Sequence, residues 1–554
     1  MSTFGIDLGT TNSVISRLVD GRPVAIPIDG SPIVPSVVLF HGERVAVGRE
    51  ARNLELEHPD KTIRSVKRKM GQAFAYEMGV TRRTPEEVSS EILKALKNGA
   101  AAATGTDVKD VVITVPAYFD DAQRRATLKA GELAGLNVLR LLNEPTSASL
   151  VYQHVGSAVA MAHPEIVLIY DLGGGTFDVS VLEIFEGVRE VRATNGNSAL
   201  GGDDFDELLV RFFLDHLKGH FGVDPRDDAR AMARLRRLAE ETKIHLSTTT
   251  SVTVREEFLT KHQGQPIHLE VELTRRRFEE LITPLIECTV DLVKRALADA
   301  KLDGQSLSHI CLVGGSTRIP LVRSRLEEAL QVDVRDEVDV DLAVGLGASM
   351  QAGILTGAKV DRILVDVAAH SLGVKVLGPE DEYRDEVETF AKLIPRNTAL
   401  PALRAEEFYT LRDDQAHIAV EVFQGESSRT SENTRVGSFD YPLEPSPAQT
   451  PVKVQFEYDL NGVVKVTVTQ RGSAEKTVAL SVADASRSAE GLKPGEPPQS
   501  AIERKAHRLL EKLEGPHRAK LESLLTRLTG ATGSERDGVE DELLDLFLDV
   551  EEGD

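Results

Sequence analysis

The spacing of apolar and polar positions divides the chain into three stretches. Over the first 360 residues, short β-branched runs alternate with helical periodicity. Ile166 to Tyr170, Val179 to Leu182, Val111 to Val115, Val138 to Leu142 and Ile310 to Val313 read as strands, and Pro32 to Val47 alternates as strands do. Helical spacing covers Val88–Ala103, 121–135, Met232–Ser247 and Arg276–Ala300, and Asp339–Gly357 is a small-residue helix suited to close packing. From Ser371 to about Asp484 the period falls to two. Ile418, Val420 and Val422 alternate with polar or small residues, as do Val452, Val454 and Phe456, then Val464, Val466 and Val468, and Asn461-Gly462 is a hairpin turn. A two-sheet sandwich fits. Residues 486–499 form a linker by composition. Helices are expected at Ser500–Glu514, Pro516–Thr529 and Ser534–Val550, with stripes such as Leu521, Leu524, Leu525 and Leu528. The predicted organisation is an α/β domain at 1–360, a linker at 361–370, a β-sandwich at 371–485 and a short helical domain at 486–554.

Composition narrows the class. A chain of 554 residues is too long for one core, and 41% hydrophobic with 28% charged residues is ordinary for a soluble globular protein. A net charge of -23, with no basic arm, argues against nucleic acid as a partner. Cys288 and Cys311 have no metal or redox spacing and suit a reducing compartment. The first strand begins within a few residues of Met1, and no apolar run approaches the roughly 20 residues of a membrane span. A cytoplasmic protein with no membrane partner is expected.

The chemistry concentrates in Tyr170–Asp178, read Tyr-Asp-Leu-Gly-Gly-Gly-Thr-Phe-Asp. Strand residues flank a turn with almost no side chain but two carboxylates, Asp171 and Asp178, and the Thr176 hydroxyl. Glycines let backbone N–H groups approach a phosphate, and the acids can organise a hydrated cation. Three glycines alone fit a plain hairpin equally well. A second copy decides: Gly5 to Ser13 repeats strand, Asp7, Leu8, Gly9 and the hydroxyls Thr10 and Thr11. No Gly-Lys-Ser/Thr follows, and the dinucleotide glycine spacing is absent. Glu144 stands where a strand meets a helix that opens with Pro145, and Gly314, Gly315 and Ser316 follow a strand as an anion site does. The basic run Lys61 to Met70 reads, taken alone, as a solvated helix face.

Gly5–Ser13, Val115–Arg124, Asn143–Thr146, Tyr170–Asp178, Gly201–Asp206 and Leu312–Pro320 together resemble the signature segments of the seventy-kilodalton heat-shock chaperones, the DnaK-like proteins, and the short C-terminus resembles their short-lid HscC-type branch. The resemblance implies a duplicated actin-like (ribonuclease-H-like) α/β ATPase domain, a β-sandwich peptide-binding domain and a short α-helical bundle. It further implies an ATP-dependent chaperone that hydrolyses ATP to ADP, with Mg2+ as cofactor and room for K+, and with unfolded polypeptides and a J-domain co-chaperone as partners. Asp7, Thr10, Thr11 and Asn12 match the first phosphate loop, and Gly173, Gly174, Gly175 and Thr176 the second. Lys67 matches the lysine that reaches the terminal phosphate and attacking water. Glu144, Asp171 and Asp178 match the carboxylates around Mg2+, its waters and the nucleophilic water, with Asp7 and Asp171 holding the metal through waters. Gly201 and Gly202 adjoin the phosphates, and Glu240, Lys243 and Ser247 match ribose and base contacts. Gly314, Gly315, Ser316, Arg318 and Asp341 form the opposite wall.

The linker residues Ile363, Leu364, Val365 and Asp366 resemble the segment that docks on the ATPase in one nucleotide state, and Pro116, Arg124 and Arg140 match positions that transmit the signal or receive a J-domain helper. Arg362 replaces an aliphatic and Ala368-Ala369-His370 a Thr-Pro-Leu step, which predicts weaker docking. Asp339-Val340-Asp341-Leu342 replaces the family's Asn-Pro-Asp-Glu, predicting a less rigid helix start. Val374, Leu377, Phe408, Leu411, Ile418, Val420 and Val463 match the peptide cleft, Leu377 and Leu411 forming its arch. The chain lacks the family's long β segment between Met70 and Glu86, which leaves dependence on a nucleotide-exchange factor open, and its short helical end predicts fast peptide exchange. The alternative within the family is a dedicated single-client regulatory chaperone; a small-molecule kinase or a filament-forming actin relative on the same fold would not carry the sandwich.

Overall fold

A computed structural model of the chain describes residues 3–42, 44–78, 81–152, 163–185, 187–335, 338–358, 362–377, 388–470 and 476–479, with 518, 520, 521, 523–525 and 527. Two sheets share one plan. In the first, Phe4–Leu8 lies between the parallel strand Asp110–Val115 and the antiparallel strand Asn12–Val19, with Asn137–Asn143 and Arg22–Ala25 outside them. In the second, Glu165–Leu172 lies between parallel His309–Val313 and antiparallel Phe177–Phe185, with Val334–Arg335 on one flank and Val188–Asn197 on the other. The two hairpins recognised as copies therefore occupy the same place in two like sheets.

Local chemistry sets the helices that frame them. Thr84 and Asp120 each close a capping box, with Glu87 and Gln123, at the starts of Pro85–Thr104 and Asp121–Leu133. Glu144–Val151 starts directly at the end of Asn137–Asn143, with Pro145 in its first turn. That helix packs on Ala343–Leu355, and both are almost wholly buried between the lobes. A Cβ on Gly347 would stand 1.9 Å from the Ser147 carbonyl oxygen, so only glycine admits this crossing. The expected helix over Asp339–Gly357 is shorter because 339–342 form a turn, the Asp339 carbonyl accepting from Leu342 and Ala343.

Two segments depart from the expected pattern. The basic run does not form a solvated helix: left-handed Ser65 (φ 52) turns the chain into the short 3-10 turn Val66–Lys69, and Lys67 points inward, 4% exposed. Between Met70 and Glu86 the strands among the described residues are those of the small hairpin Tyr76–Met78 with Thr81–Arg83. The long hairpin Ser251–His262 with Gln265–Thr274 was not expected, because charged residues break its alternation.

The all-β stretch forms two four-stranded antiparallel sheets around an apolar cluster of Val374, Val420, Val422, Phe456, Val466 and others. Residues Met1–Ala485 make one compact unit and Ser486–Asp554 a second. In the second unit the described residues between 518 and 527 are helical. The linker at 486–499 and the helices expected at Ser500–Glu514 and Ser534–Val550 lie outside the described residues. Among the described residues no helix is long and apolar enough to cross a membrane.

Gly347→Ala should force the two central helices apart and lower unfolding free energy by about 1–3 kcal/mol, on the scale of core overpacking and its backbone shifts. Chemical denaturation with a midpoint unchanged from wild type would contradict the close crossing.

Candidate functional site

The two hairpin tips meet. Leu172 pairs with Phe177 across the turn Gly173–Thr176, so Asp171 and Asp178 are register partners at the end of the ladder. A Cβ on Gly174 would lie 1.8 Å from Thr11 Oγ1, and one on Gly175 would lie 2.5 Å from Thr10 Cγ2. The tips therefore touch through positions that only glycine can fill. They border a cleft of about 630 Å³, within the range of a nucleotide-sized site. Asp7, Thr10, Thr11, Asn12, Lys67, Glu144, Asp171, Gly173, Gly174 and Thr176 line it. Gly201 and Gly202 stand behind it: a Cβ on Gly201 would meet the Gly174 backbone at 2.6 Å, and one on Gly202 would meet Ser316 Oγ at 2.6 Å.

Charge in this cleft is unbalanced. Lys67 Nζ lies 2.5 Å from Glu144 Oε1. Burial opposes the ammonium's charge, yet Glu144, Asp7 and Asp171 outweigh it and hold the Lys67 pKa up. The carboxylates carry the cost. Burial, then Glu144, pushes Asp7 up to about 7 and Asp178 likewise to about 7. Asp171 is raised well above the usual range by burial, then by Glu144, Asp178 and Asp7. Asp171 Oδ2 and Thr11 Oγ1 are buried without a hydrogen-bond partner. Buried polar atoms in that condition cost roughly 1–3 kcal/mol each unless a ligand satisfies them.

The far wall is preorganised differently. Glu240 bridges the cleft mouth, taking Arg52 at 3.0 Å and Arg64 at 2.6 Å. Lys243 Nζ donates to Asp206 at 2.8 Å and to the Gly202 carbonyl at 3.1 Å. Ser316 Oγ donates to the Gly173 carbonyl at 2.8 Å, and Arg318 binds Asp339 and Asp341. Ser247, Gly314, Gly315 and Asp341 line the same wall. Sequence reasoning missed Ile244 and Thr248, which also line it; Ile244 is 56% exposed, and nothing in the local pattern marks that exposure.

Away from the cleft, the linker strand Ile363–Val365 pairs in parallel with Val188–Asn197, extending the second sheet. Asp366 accepts from Thr146 Oγ1 at 3.1 Å. Arg362 and His370, expected to weaken docking, are both engaged: Arg362 donates to the Leu150 carbonyl, and His370 Nε2 lies 2.9 Å from the Tyr118 carbonyl oxygen. The sandwich rests on the segment 116–125. Asp121 accepts from the Val464 N–H at 2.8 Å, and its own N–H donates to Gln424 Oε1 at 3.1 Å. Arg124 donates to the Asn461 carbonyl and to Asn143 Oδ1. Arg140 is buried nearby, its charge disfavoured by burial and supported by Asp366. Pro116 opens the turn, its carbonyl accepting from Phe119.

The seven groove residues divide. Val374 and Val420 sit in the sandwich cluster, with Phe408 and Ile418 packed against it, and Leu411 is 69% exposed on the loop after Ala402–Tyr409. The Leu377 side chain lies outside the described residues. Val463 is a correction. It stands in the turn between Pro451–Tyr458 and Val464–Gln470, beside Asn461 and Gly462, which face Arg124. Pairing of Phe408 with Val452 and of Tyr458 with Val464 puts Leu411 and Val463 at opposite ends of the sheet, roughly 20 Å of strand apart.

Two lobes that close twin acidic hairpins on one cleft, carrying a β-sandwich on a docked strand, define a nucleotide-binding protein with an appended recognition domain. The family model described as Hsp70 protein matches residues 3–82 and 76–543. The "Chaperone protein DnaK" of Thermotoga petrophila (strain ATCC BAA-488 / DSM 13995 / JCM 10881 / RKU-1) is 44% identical over 483 residues, covering 85% of this chain and 79% of its own. The "Chaperone protein DnaK" of Thermotoga neapolitana (strain ATCC 49049 / DSM 4359 / NBRC 107923 / NS-E) is 42% identical over 526 residues, covering 93% and 86%. The chain belongs to the Hsp70 family and is an ATP-dependent molecular chaperone.

Asp178→Asn keeps an oxygen acceptor for the Tyr118 N–H, which donates to Asp178 Oδ1, and removes one buried charge. A carboxyl raised from 3.8 to about 7 in the folded protein is a stabiliser only while protonated; its penalty begins near pH 4, grows with pH and is complete above 7. The nucleotide-free variant should match wild type near pH 4 and exceed it by on the order of 2–4 kcal/mol at pH 8. Unfolding curves that differ equally at both pH values would refute this charge assignment.

Proposed function

We propose that the cleft binds ATP with Mg2+ and hydrolyses it to ADP and phosphate, and that the state of the nucleotide sets the grip of the sandwich on extended apolar polypeptide. The observation that carries this reading is the buried excess of carboxylate around Lys67, with Asp171 Oδ2 and Thr11 Oγ1 left without partners at the meeting of the two hairpins. Among the described residues no three His, Cys, Asp or Glu side chains converge to ligate a metal directly, and Asp7 and Asp171 would hold Mg2+ through its waters. Bound there, Mg2+ supplies the positive charge that neutralises the polyphosphate. The Thr10 to Asn12 and Gly173 to Thr176 turns offer amides and hydroxyls to the phosphates. Lys67 stabilises charge at the terminal phosphoryl group, and Glu144 and Asp178 orient the attacking water. Phosphoryl transfer needs little beyond such positioning and charge neutralisation. Glu240, Lys243, Ser247 and Arg318 take the nucleoside, with Ile244 as an apolar face for the base.

In this reading the docked linker and sandwich are the ATP-held arrangement. Hydrolysis frees the strand Ile363–Val365 and the contacts of Arg124, Arg140 and Asp366, and the groove around Val374, Phe408, Leu411, Ile418 and Val420 tightens on its client. Such a groove combines backbone hydrogen bonds to an extended chain with an apolar pocket. A J-domain co-chaperone would act on the Pro116 to Arg124 surface. Cytoplasmic localisation accords with the two cysteines, Cys288 and Cys311, neither of which is in a disulfide.

Turnover of wild type and Lys67→Ala, each with and without an unfolded peptide, tests the assignment. Peptide should stimulate wild type, chelation of divalent cations should abolish its turnover, and the variant should fall at least about 100-fold. Retention of wild-type turnover by the variant would remove Lys67 from the mechanism.

A further inference from the structure

We propose that His370 is a positioning residue for the ATPase site: through Tyr118 it steadies the Asp178 carboxylate, and protonation of its ring releases that hold together with the sandwich. The inference rests on the reading that ATP holds the sandwich docked.

His370 follows the linker strand by five residues and is partly buried where linker, sandwich and first lobe meet. Its Nε2 lies 2.9 Å from the Tyr118 carbonyl oxygen, so this nitrogen carries a proton. Its ring meets the Tyr118 ring edge to face, with centroids 4.3 Å apart at 62°. Tyr118 reaches the cleft from its other side, its N–H donating to Asp178 Oδ1 at 2.9 Å. The next residue, Phe119, places its ring 5.9 Å from Lys67 Nζ. Arg124 holds the same segment by donating to the Ala117 and Phe119 carbonyls. One short stretch of backbone is therefore gripped by His370 on the sandwich side and touches two charged groups on the cleft side.

A second proton would go on Nδ1, which has no hydrogen-bond partner among the described residues. Asp120 and Arg124 face the ring from the first lobe and Glu426 from the sandwich; Arg396, Asp299, Arg295 and Glu426 act on the neighbouring Tyr118. Asp120 and Glu426 favour the imidazolium, Arg124 opposes it, and burial decides against it, so the docked ring titrates below an ordinary histidine. Undocked, the exposed ring returns to about 6.5. At His370 the docked state is thus the one that binds fewer protons. The contribution of His370 to docking is independent of pH above about 6.5 and weakens below it, by up to about tenfold in equilibrium constant per pH unit; the raised Asp121 carboxyl at the same interface acts in the opposite sense.

The full-length chain, labelled at exposed Cys288 and at a cysteine introduced at Ser446, reports docking by energy transfer under saturating Mg-ATP. With wild-type His370 the docked-to-undocked ratio should fall up to about tenfold per unit below pH 6.5. His370→Gln, which keeps an N–H donor and does not titrate there, should lose this fall below pH 6.5. The quotient of the two proteins' single-turnover hydrolysis rates should be constant above pH 7 and drift below 6.5. Identical pH dependence in both proteins, with docking present at pH 8, would overturn this inference alone. No ATP-dependent docking at pH 8 would overturn the parent reading and this one with it. A measurement without the variant is the NMR titration of the His370 ring: a pKa lower with ATP than with ADP supports the assignment, and equal values overturn it.

Discussion

Asp7, Glu144 and Asp171 line one cleft with the Lys67 ammonium, Asp178 lies buried behind them, and the rest of the molecule is arranged around that imbalance. Asp7 ends one central strand, Asp171 ends its counterpart, Asp178 begins the returning strand of the second hairpin, and Glu144 opens the helix between the lobes. Each position is dictated by a sheet or helix terminus, so none can move away from the others without loss of the core beneath it. Protonation relieves part of the repulsion in the empty protein, and Lys67 relieves another part. In the proposed complex Mg2+, held through waters by Asp7 and Asp171, would offset carboxylate charge, and phosphate oxygens would accept from the unpartnered Thr11 hydroxyl. Occupancy of the cleft would then favour closure of the lobes.

The contact between the α/β part and the sandwich has the opposite character. Its bonds run between side chains and backbone groups: Arg124 to Asn461, Asp121 to Val464 and Gln424, His370 to Tyr118, and Thr146 to Asp366. The neutral bonds are worth about 0.5–1.5 kcal/mol net and those to Arg124, Asp121 and Asp366 about 1.5–3 kcal/mol, because water can replace each partner. A polar interface of that kind separates at modest cost, as interfaces between moving domains do. Swinging such an equilibrium from 1:99 to 99:1 takes about 5.5 kcal/mol of differential binding, within the reach of a triphosphate gripped by many donors.

Much of this was legible in the sequence where function and local pattern coincide. The repeated strand-Asp-hydroxyl hairpins announced both sheets and the cleft, since one such turn fits a plain hairpin but its recurrence does not. Alternation in Ile418 to Val422 and Val464 to Val468 announced the sandwich. What escaped the pattern was set by tertiary contact. Lys67 sits in a basic run that reads as solvated, and only the left-handed turn at Ser65 directs it inward. Val463 is apolar and alternates with its neighbours, but its turn faces Arg124 rather than the groove. Arg362 and His370 looked like losses of apolar contact because their polar partners, the Leu150 and Tyr118 carbonyls, are distant in sequence and invisible to any local reading. Ile244 lay unremarked in a helix whose exposed face is defined by the cleft alone.

The central claim is that the filled cleft governs the groove. Its most direct test is the affinity of a fluorescent extended apolar peptide for the full-length chain, measured nucleotide-free, with Mg-ADP and with Mg-ATP. The account predicts that Mg-ATP weakens peptide binding at least about tenfold, or 1.4 kcal/mol, relative to Mg-ADP. Equal affinity in all three conditions, with ATP shown to be bound, would contradict it.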